Sequence, residues 1–277
     1  EERAVIRGRA TEPPGQGLLL GEVREGMYLC RQCGAPLFLA AHRFESHCGW
    51  PSFEDAIPGA VLRVPDPDGV RTEIRCWRCE GHLGHVFEGE RLTPADTRYC
   101  VNSISMVFVP RTGWQRALLA GGCFWGLEYH LGRIRGVLMT RSGYCGGERE
   151  QPTYEDVCRG DTGHAETVEV WFWPEILSYR SLLEGFFSLH DPTQLNRQGP
   201  DVGEQYRSEI FALDGEQQKV ALEVLDALRH RGVGVVTRLS PAGTFWPAEA
   251  RHQQYYRRRG ERPRCPAGQV PRPVNGG

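Results

Sequence analysis

Residues 1–112 read as short apolar runs broken by Gly, Pro and Asp, with little helical periodicity. The runs 61–64 and 70–74 flank Pro-Asp-Pro-Asp-Gly, where Asp68-Gly69 signals a hairpin because glycine accepts the positive φ such turns need. Residues 98–109 (RYCVNSISMVFV) form one long β-prone run. This half is predicted to be mainly antiparallel β. Pro and Gly punctuate Val109-Pro-Arg-Thr-Gly113, and the pattern changes after it. Strands are then predicted at 117–120, 137–144, 167–172, 208–213 and 233–239, and helices at 124–134, 178–190, 216–231 and 247–258. The 216–231 segment is the clearest amphipathic helix, with Val220, Leu222, Val224, Leu225 and Leu228 apolar. Helices alternating with strands predict an α/β sandwich. The expected layout is two domains, 1–111 and 112–277, with an irregular, mobile tail from Gly260 rich in Pro, Arg and Gly.

Composition narrows the function. Hydrophobic residues are 40% and charged residues 25% of the 277, so each half has material for its own core. A net charge of −2 gives no nucleic-acid surface. No apolar run reaches the roughly 18 residues that suggest a membrane span. The chain begins at Glu1 rather than Met, and the expectation is a removed export signal or a trimmed N-terminus. The compartment stays open.

Ten cysteines are too many for chance packing. A disulfide scaffold suits small secreted domains without a core, so metal binding and redox chemistry fit this chain better. Cys30-Arg-Gln-Cys33 and Cys76-Trp-Arg-Cys79 are two CxxC pairs in the β half. A two-residue spacer lets both thiolates turn toward one ion, and four thiolates close a tetrahedral shell. Cys30, Cys33, Cys76 and Cys79 are therefore expected to hold a structural zinc. Two buried or disulfide-linked pairs are the plainer alternative.

Around those ligands lie Cys48-Gly-Trp-Pro-Ser-Phe53, Gly81-His-Leu-Gly-His-Val-Phe87 and Arg98-Tyr-Cys-Val-Asn-Ser103, with Ala10-Thr-Glu-Pro13 and Arg71-Thr-Glu73. Over most of residues 4–110 this set resembles the MsrB family of methionine-R-sulfoxide reductases. The resemblance implies that Cys100 is the nucleophile and Cys48 the resolving cysteine. Arg98 beside Cys100 would favour its thiolate. His82 and His85 would supply protons. Asn102 would hold a water or a histidine, and Trp50 would wall the methyl pocket. Where the family usually has Gly, His47 stands before Cys48, and the two tolerate different backbone angles. Apart from the resemblance, a cysteine in a strand is usually only a small core residue.

The second half carries Gly121-Gly-Cys-Phe-Trp-Gly126 between a predicted strand and helix. It also carries PTYED at 152–156, GHAE at 163–166, DVGEQY at 201–206 and FWPAEARHQQY at 245–255. Over residues 115–258 this resembles the MsrA family of methionine-S-sulfoxide reductases and implies a ferredoxin-like core. Cys123 would sit at a helix N-terminus, where the dipole and free N–H groups favour a thiolate. By resemblance, Phe124 and Trp125 cage the substrate methyl, and Glu166 protonates the sulfoxide oxygen. Tyr154, Tyr206 and Asp201 bind that oxygen or a water. A donor Glu needs burial to raise its pKa. Cys265, in the tail, is the expected resolver of Cys123, and Cys145, where the family commonly has Ala, is its rival. Cys158 receives no role.

Both halves would run one cycle: sulfenic acid, disulfide, then exchange with a dithiol, thioredoxin by resemblance, without an organic cofactor. That one enzyme serves each sulfoxide epimer is general knowledge of the two families. Two rivals are a zinc-ribbon binding module joined to an α/β interaction domain, and a thiol peroxidase. Turnover of each methionine sulfoxide epimer with dithiothreitol separates the three.

Overall fold

The structure, a computed structural model, describes residues 1–263. Cys265 lies outside the described residues. The chain divides into two compact units, Glu1–Gly113 and Trp114–Gly277.

After a short helix, α1 (Glu2–Ile6), the first unit is built from β1 (Gly26–Cys30), β2 (Pro36–Leu39), β3 (Arg43–Phe44), β4 (Ser52–Phe53), β5 (Val61–Pro65), β6 (Thr72–Cys76), β7 (His82–Glu88), β8 (Thr97–Val101) and β9 (Met106–Pro110). They form two antiparallel sheets, ordered β2-β1-β9 and β3-β4-β8-β7-β6-β5. Tyr28, Leu37, Phe38, Phe53, Ile74 and Val101 are fully buried in one cluster, with Phe38 stacked on Phe53 at 4.4 Å between ring centroids. Each such side chain contributes roughly 1.5–3 kcal/mol of apolar burial. The expected hairpin is β5–β6, and Gly69 takes φ 73° at its turn.

The expected single run 98–109 is in fact two strands in different sheets, separated by a 3₁₀ turn at Ser103–Ser105. The buried Glu12 carboxylate accepts the N–H groups of Ser103 and Ile104 there. Donors that a continuous ladder would have used are thereby satisfied by a side chain from a distant segment. β propensity could not reveal this break.

A bulge in β7 sets up the chemistry of this unit. His82 and His85 are three apart, so in a regular strand they would face opposite ways. Ile74 pairs with Gly84 but Arg75 pairs with His82, which leaves Leu83 as the extra residue. Glu73 and Arg75 share a face of β6, so both histidines share one face of β7. Gly84 has φ 154°, and a Cβ on it would strike the carbonyl oxygen of Cys100. The register then runs Glu73, His85, Cys100, Ser52 across four strands. Residues directly opposite share a face, and a one-residue slip would scatter this row.

In the second unit a mixed sheet is ordered β16-β15-β10-β12-β11-β17. Its strands are β10 (Gln115–Gly121), β11 (Val137–Cys145), β12 (Ala165–Phe172), β15 (Ser208–Ala212), β16 (Arg238–Pro241) and β17 (Trp246–Pro247), with a separate small pair β13 (Arg197–Gln198) and β14 (Asp201–Val202). All pairings are antiparallel except β15–β16. Helices α2 (Phe124–Leu131), α4 (Tyr179–Phe187) and α5 (Gly215–His230) bury their apolar faces in one cluster with Ala117, Leu119, Val168, Val170 and Phe172. The residues that alternate with these, Leu118, Ala120, Cys145, Ala165 and Phe211, make a second cluster on the opposite face. This is the expected α/β sandwich.

Three expectations need correction. Thr153 and Asp156 form a capping box that starts α3 (Tyr154–Arg159), closed by Gly160 at φ 81°. The Thr-x-x-Asp spacing was the available signal. Only Arg238–Pro241 of the expected 233–239 strand is extended in a sheet. The expected 247–258 helix is reduced to a 3₁₀ turn (Ala250–His252) and α6 (Tyr255–Arg259). Gln253 bonds both backbone groups of Ser142, and Gln254 turns into the left-handed region at φ 50° to donate its N–H and side-chain amide to the buried Glu128. Those tertiary bonds outcompete the local helical pattern.

Gly84→Ala should destabilise the first unit by about 2–4 kcal/mol, because the collision is with backbone that cannot rotate away. Denaturant unfolding monitored in each unit checks this, and the second unit should be unchanged.

Candidate active sites and a cysteine cluster

In the first unit Cys48 Sγ lies 3.7 Å from Cys100 Sγ. Cys48 sits on the loop before β4, where His47 takes φ 57° and donates its N–H to Glu45. The position where Gly is usual is thus left-handed, and His47 bears that strain. Burial pushes the Cys48 thiol up, but hydrogen bonds involving Ser46 and Ser52 outweigh it and the net shift is downward. Cys100 is pushed up to about 12 by burial and by Cys48, against a smaller opposing pull from Arg98. Arg98 therefore does favour the thiolate, as expected, but burial outweighs its pull. The Arg98 guanidinium is held in a fork by Glu90 at 2.7 and 2.9 Å and stacks over Phe87, so much of its charge is already matched.

His82 Nδ1 lies 2.8 Å from the buried Glu73 carboxylate, which also accepts from Arg75 at 2.6 Å. Burial lowers the His82 pKa despite Glu73, which favours neutral imidazole at neutral pH. His82 Nε2 is buried without a hydrogen-bond partner. A buried unpaired ring nitrogen is costly unless substrate or water meets it. His85 Nε2 lies 2.7 Å from Asp66. The expectation for Asn102 is also corrected: its amide donates to Leu83 O and accepts from Glu12 N, so it fixes backbone next to the histidines. Trp50 donates its indole N–H to Glu12 O at 3.0 Å.

In the second unit Cys123 is the residue capping α2, between Gly122 at φ 91° and Phe124. The N–H groups of Trp125 and Gly126 do pull its pKa down, but burial and the nearby Glu166 outweigh them and the thiol is raised. The helix start thus pulls toward the thiolate as expected, but burial dominates. Glu166 is 1% exposed and accepts the Phe124 N–H at 2.9 Å. Burial raises its pKa to about 8. Burial likewise raises Tyr154, Tyr206 and Asp201, and Glu166 adds to the shift of both tyrosines. Cys123, Glu166, Tyr154, Tyr206 and Asp201 thus all have their pKa values raised chiefly by burial.

An aromatic stack includes Tyr154. Trp125 lies flat on Tyr255 at 4.0 Å and donates its indole N–H to His252 Nδ1 at 3.1 Å. His252 stacks on Tyr154 at 4.4 Å, and Glu249 accepts from Tyr144 Oη and Tyr154 N. His252, Glu249 and Glu128 were not singled out from the sequence, although the first two lie inside the quoted 245–255 segment. Cys145 is fully buried in the cluster on the sheet face opposite Phe124 and Tyr144. It cannot meet Cys123 without unfolding the sheet. Cys158 is exposed on α3.

The four CxxC cysteines come together. Cys30 Sγ–Cys79 Sγ and Cys33 Sγ–Cys76 Sγ are both 3.6 Å, and all four sulfurs lie within 4.8 Å of one another. Four sulfurs at 2.3 Å from a tetrahedral centre stand about 3.8 Å apart, so the cluster fits a metal ion.

Comparisons with known proteins agree with this chemistry. A family profile for peptide methionine sulfoxide reductase matches residues 115–272, and a SelR domain profile matches residues 1–110. The MsrA of Methanothermobacter thermautotrophicus is 52% identical over 155 residues, 55% of this chain and 91% of that protein. MsrA of Acinetobacter baumannii is 51% identical over 142 residues, 51% of this chain and 82% of that protein. Reduced Mxr1 of Saccharomyces cerevisiae, at 32% identity, superposes with a TM-score of 0.54 over 57% of this chain and 92% of that one. Thiol-based oxidoreductases with buried cysteine sites are the class these units define. The chain belongs to the peptide methionine sulfoxide reductase family, with a SelR (MsrB) domain ahead of the MsrA domain. It reduces methionine sulfoxide, the R epimer in the first domain and the S epimer in the second.

Replacing Cys30 and Cys76 together by Ser should abolish bound metal, and the melting transition of the first unit should fall or vanish, because metal binding and folding are coupled. Elemental analysis and calorimetry check this. A full complement of metal in the double variant would reject the cluster as the site.

Proposed function

We propose that residues 1–111 and 112–277 are two independent catalytic domains with the following assignments. In the first, Cys100 attacks the sulfoxide sulfur, His82 and His85 handle the proton, Arg98 offsets charge on Cys100, and Trp50 walls the methyl pocket. Cys100 becomes a sulfenic acid and methionine leaves. Cys48 then attacks Cys100, releasing water and forming a disulfide. The 3.7 Å Cys48–Cys100 separation carries this reading, since only a small approach reaches the roughly 2.05 Å of a bond.

In the second domain, whose core we assign as ferredoxin-like, Cys123 is the nucleophile and Glu166 the proton donor. The antiparallel order β15-β10-β12-β11 of a β-α-β-β-α-β chain supports the core assignment. Tyr154, Tyr206 and Asp201 bind the sulfoxide oxygen, while Phe124 and Trp125 cage the methyl group. The observation that carries this half is a carboxyl group sealed from water beside a nucleophile at a helix start. A neutral Glu166 can donate a proton that an ordinary carboxylate could not. Cys265 resolves Cys123; the full burial of Cys145 in the cluster on the far sheet face favours Cys265 over it. A thioredoxin-like dithiol reduces both disulfides by exchange. The ion in the four-cysteine cluster is zinc, structural rather than catalytic because four thiolates leave no open position.

Cys123→Ser should abolish S-epimer reduction and spare the R epimer, and Cys100→Ser should do the opposite. Loss of both activities from either change would sink the two-site assignment. Single-turnover reduction of S-methionine sulfoxide should decline as pH rises through about 8, where the Glu166 carboxyl loses its proton. Glu166→Gln should lower that rate about 10²–10⁴-fold at all pH values. Cys265→Ser should permit one S-epimer turnover but block thioredoxin-dependent cycling, whereas Cys145→Ser should cycle normally. Unimpaired cycling by Cys265→Ser would move resolution elsewhere.

A further inference from the structure

The turn between β5 and β6 does more than join two strands. We propose that Asp66, carried on it, is a positioning residue for R-epimer reduction, orienting His85 so that it exchanges a proton with Cys100. The proposal rests on the assignment of Cys100 as the nucleophile and names the side chain that sets His85 to work.

Asp66 divides its two oxygens between separate tasks. Oδ1 accepts the N–H of Asp68 at 3.0 Å and so belongs to the turn. Oδ2 lies 2.7 Å from His85 Nε2, with the two side chains only 15% and 12% exposed. The turn itself is closed independently: Asp68 accepts the N–H groups of Val70 and Arg71, and the Asp66 and Arg71 backbones are joined at 2.9 Å. Pro65 and Pro67 flank Asp66 and restrict the chain on both sides. A surface aspartate serving only its turn would not need its second oxygen aimed at a ring on another strand.

His85 is the residue that connects this turn to the thiol. It stands opposite Glu73 on β6 and opposite Cys100 on β8, so all three share one face. The charged and titratable groups around it are Glu73, Cys100, His82 with its ring centroid 5.6 Å away, and Arg71 at 3.9 Å from Asp66. Glu73 is already engaged by His82 and Arg75. Asp66 is therefore the carboxylate left to serve His85. A carboxylate on Nε2 makes that nitrogen the donor and leaves Nδ1 to exchange protons, as in other oriented imidazoles. Nδ1 has no hydrogen-bond partner among the described residues.

The step balances simply. The Cys100 thiol passes its proton to His85 Nδ1, giving thiolate and an imidazolium that Asp66 stabilises. The thiolate sulfur bonds to the sulfoxide sulfur, and the imidazolium returns the proton to the sulfoxide oxygen. In the resulting adduct the hydroxyl moves to Cys100 Sγ: the methionine S–O bond and the new S–S bond break, an Sγ–O bond forms, and methionine leaves with the electron pair, so that Cys100 carries the sulfenic hydroxyl.

The test is Asp66→Asn, which keeps an acceptor for the turn and removes the charge from His85. R-epimer kcat with dithiothreitol should fall about 10–100-fold while KM changes little, as for partners that orient a reacting group. Asp66→Glu, which keeps the charge, should recover part of the rate, and S-epimer reduction in the same chain should be unchanged. On a His85→Asn background, Asp66→Asn should have no further effect. An unaltered kcat, no recovery by Asp66→Glu, or additive losses in the double variant would overturn the proposal. Retention of R-epimer turnover by Cys100→Ser would instead overturn the underlying assignment.

Discussion

Withdrawal of ionisable groups from water is the constraint on which both sites depend. Cys100, Cys123, Glu166, Tyr154 and Tyr206 all have their pKa values raised chiefly by burial. Burial keeps each resting thiol protonated and unreactive toward casual electrophiles, since the thiolate is the reactive form. The same burial favours the protonated form of the Glu166 carboxyl at neutral pH, so one desolvation acts on thiol and carboxyl together.

The two domains meet this constraint with different architecture. In the SelR domain a row of side chains crosses an antiparallel sheet, and a bulge at Leu83 brings His82 and His85 onto that row. In the MsrA domain the thiol tops a short helix, and the carboxyl comes from a neighbouring strand to bond the helix N–H of Phe124. That bond occupies one of the free donors that would otherwise have lowered the thiol pKa. The helix dipole argument, taken alone, points to a thiolate; the anionic or neutral neighbour decides the matter.

The four-cysteine cluster solves a different problem. Its ligands come from the ends of β1 and β6 and from the turns that follow each, and the two strands lie in different sheets. One ion there would tie the two sheets together in a domain of modest core size. The same turn after β6 leads directly into β7, so the anchor lies one short connection from the bulge that sets the histidines.

Much of this was readable in residues alone. Two CxxC spacings specify a tetrahedral sulfur set, because a two-residue spacer has few ways to turn. The hairpin at Asp68-Gly69 and the amphipathic 216–231 helix follow from local chemistry, and Gly-Gly-Cys-Phe-Trp marks a strand-to-helix turn. Long-range bonds decided the rest. Glu12 breaks the 98–109 run, and Glu128 and Ser142 capture Gln254 and Gln253 to dissolve an expected helix. Partners so distant leave no period in the sequence. How far Glu90 matches the charge of Arg98, and that Cys145 is fully buried in the cluster on the far sheet face, became visible only in three dimensions. Sequence determined which residues could do the chemistry; tertiary structure alone decided which face, which partner and how much water each one sees, because pKa values and strand facing depend on neighbours brought from elsewhere in the chain.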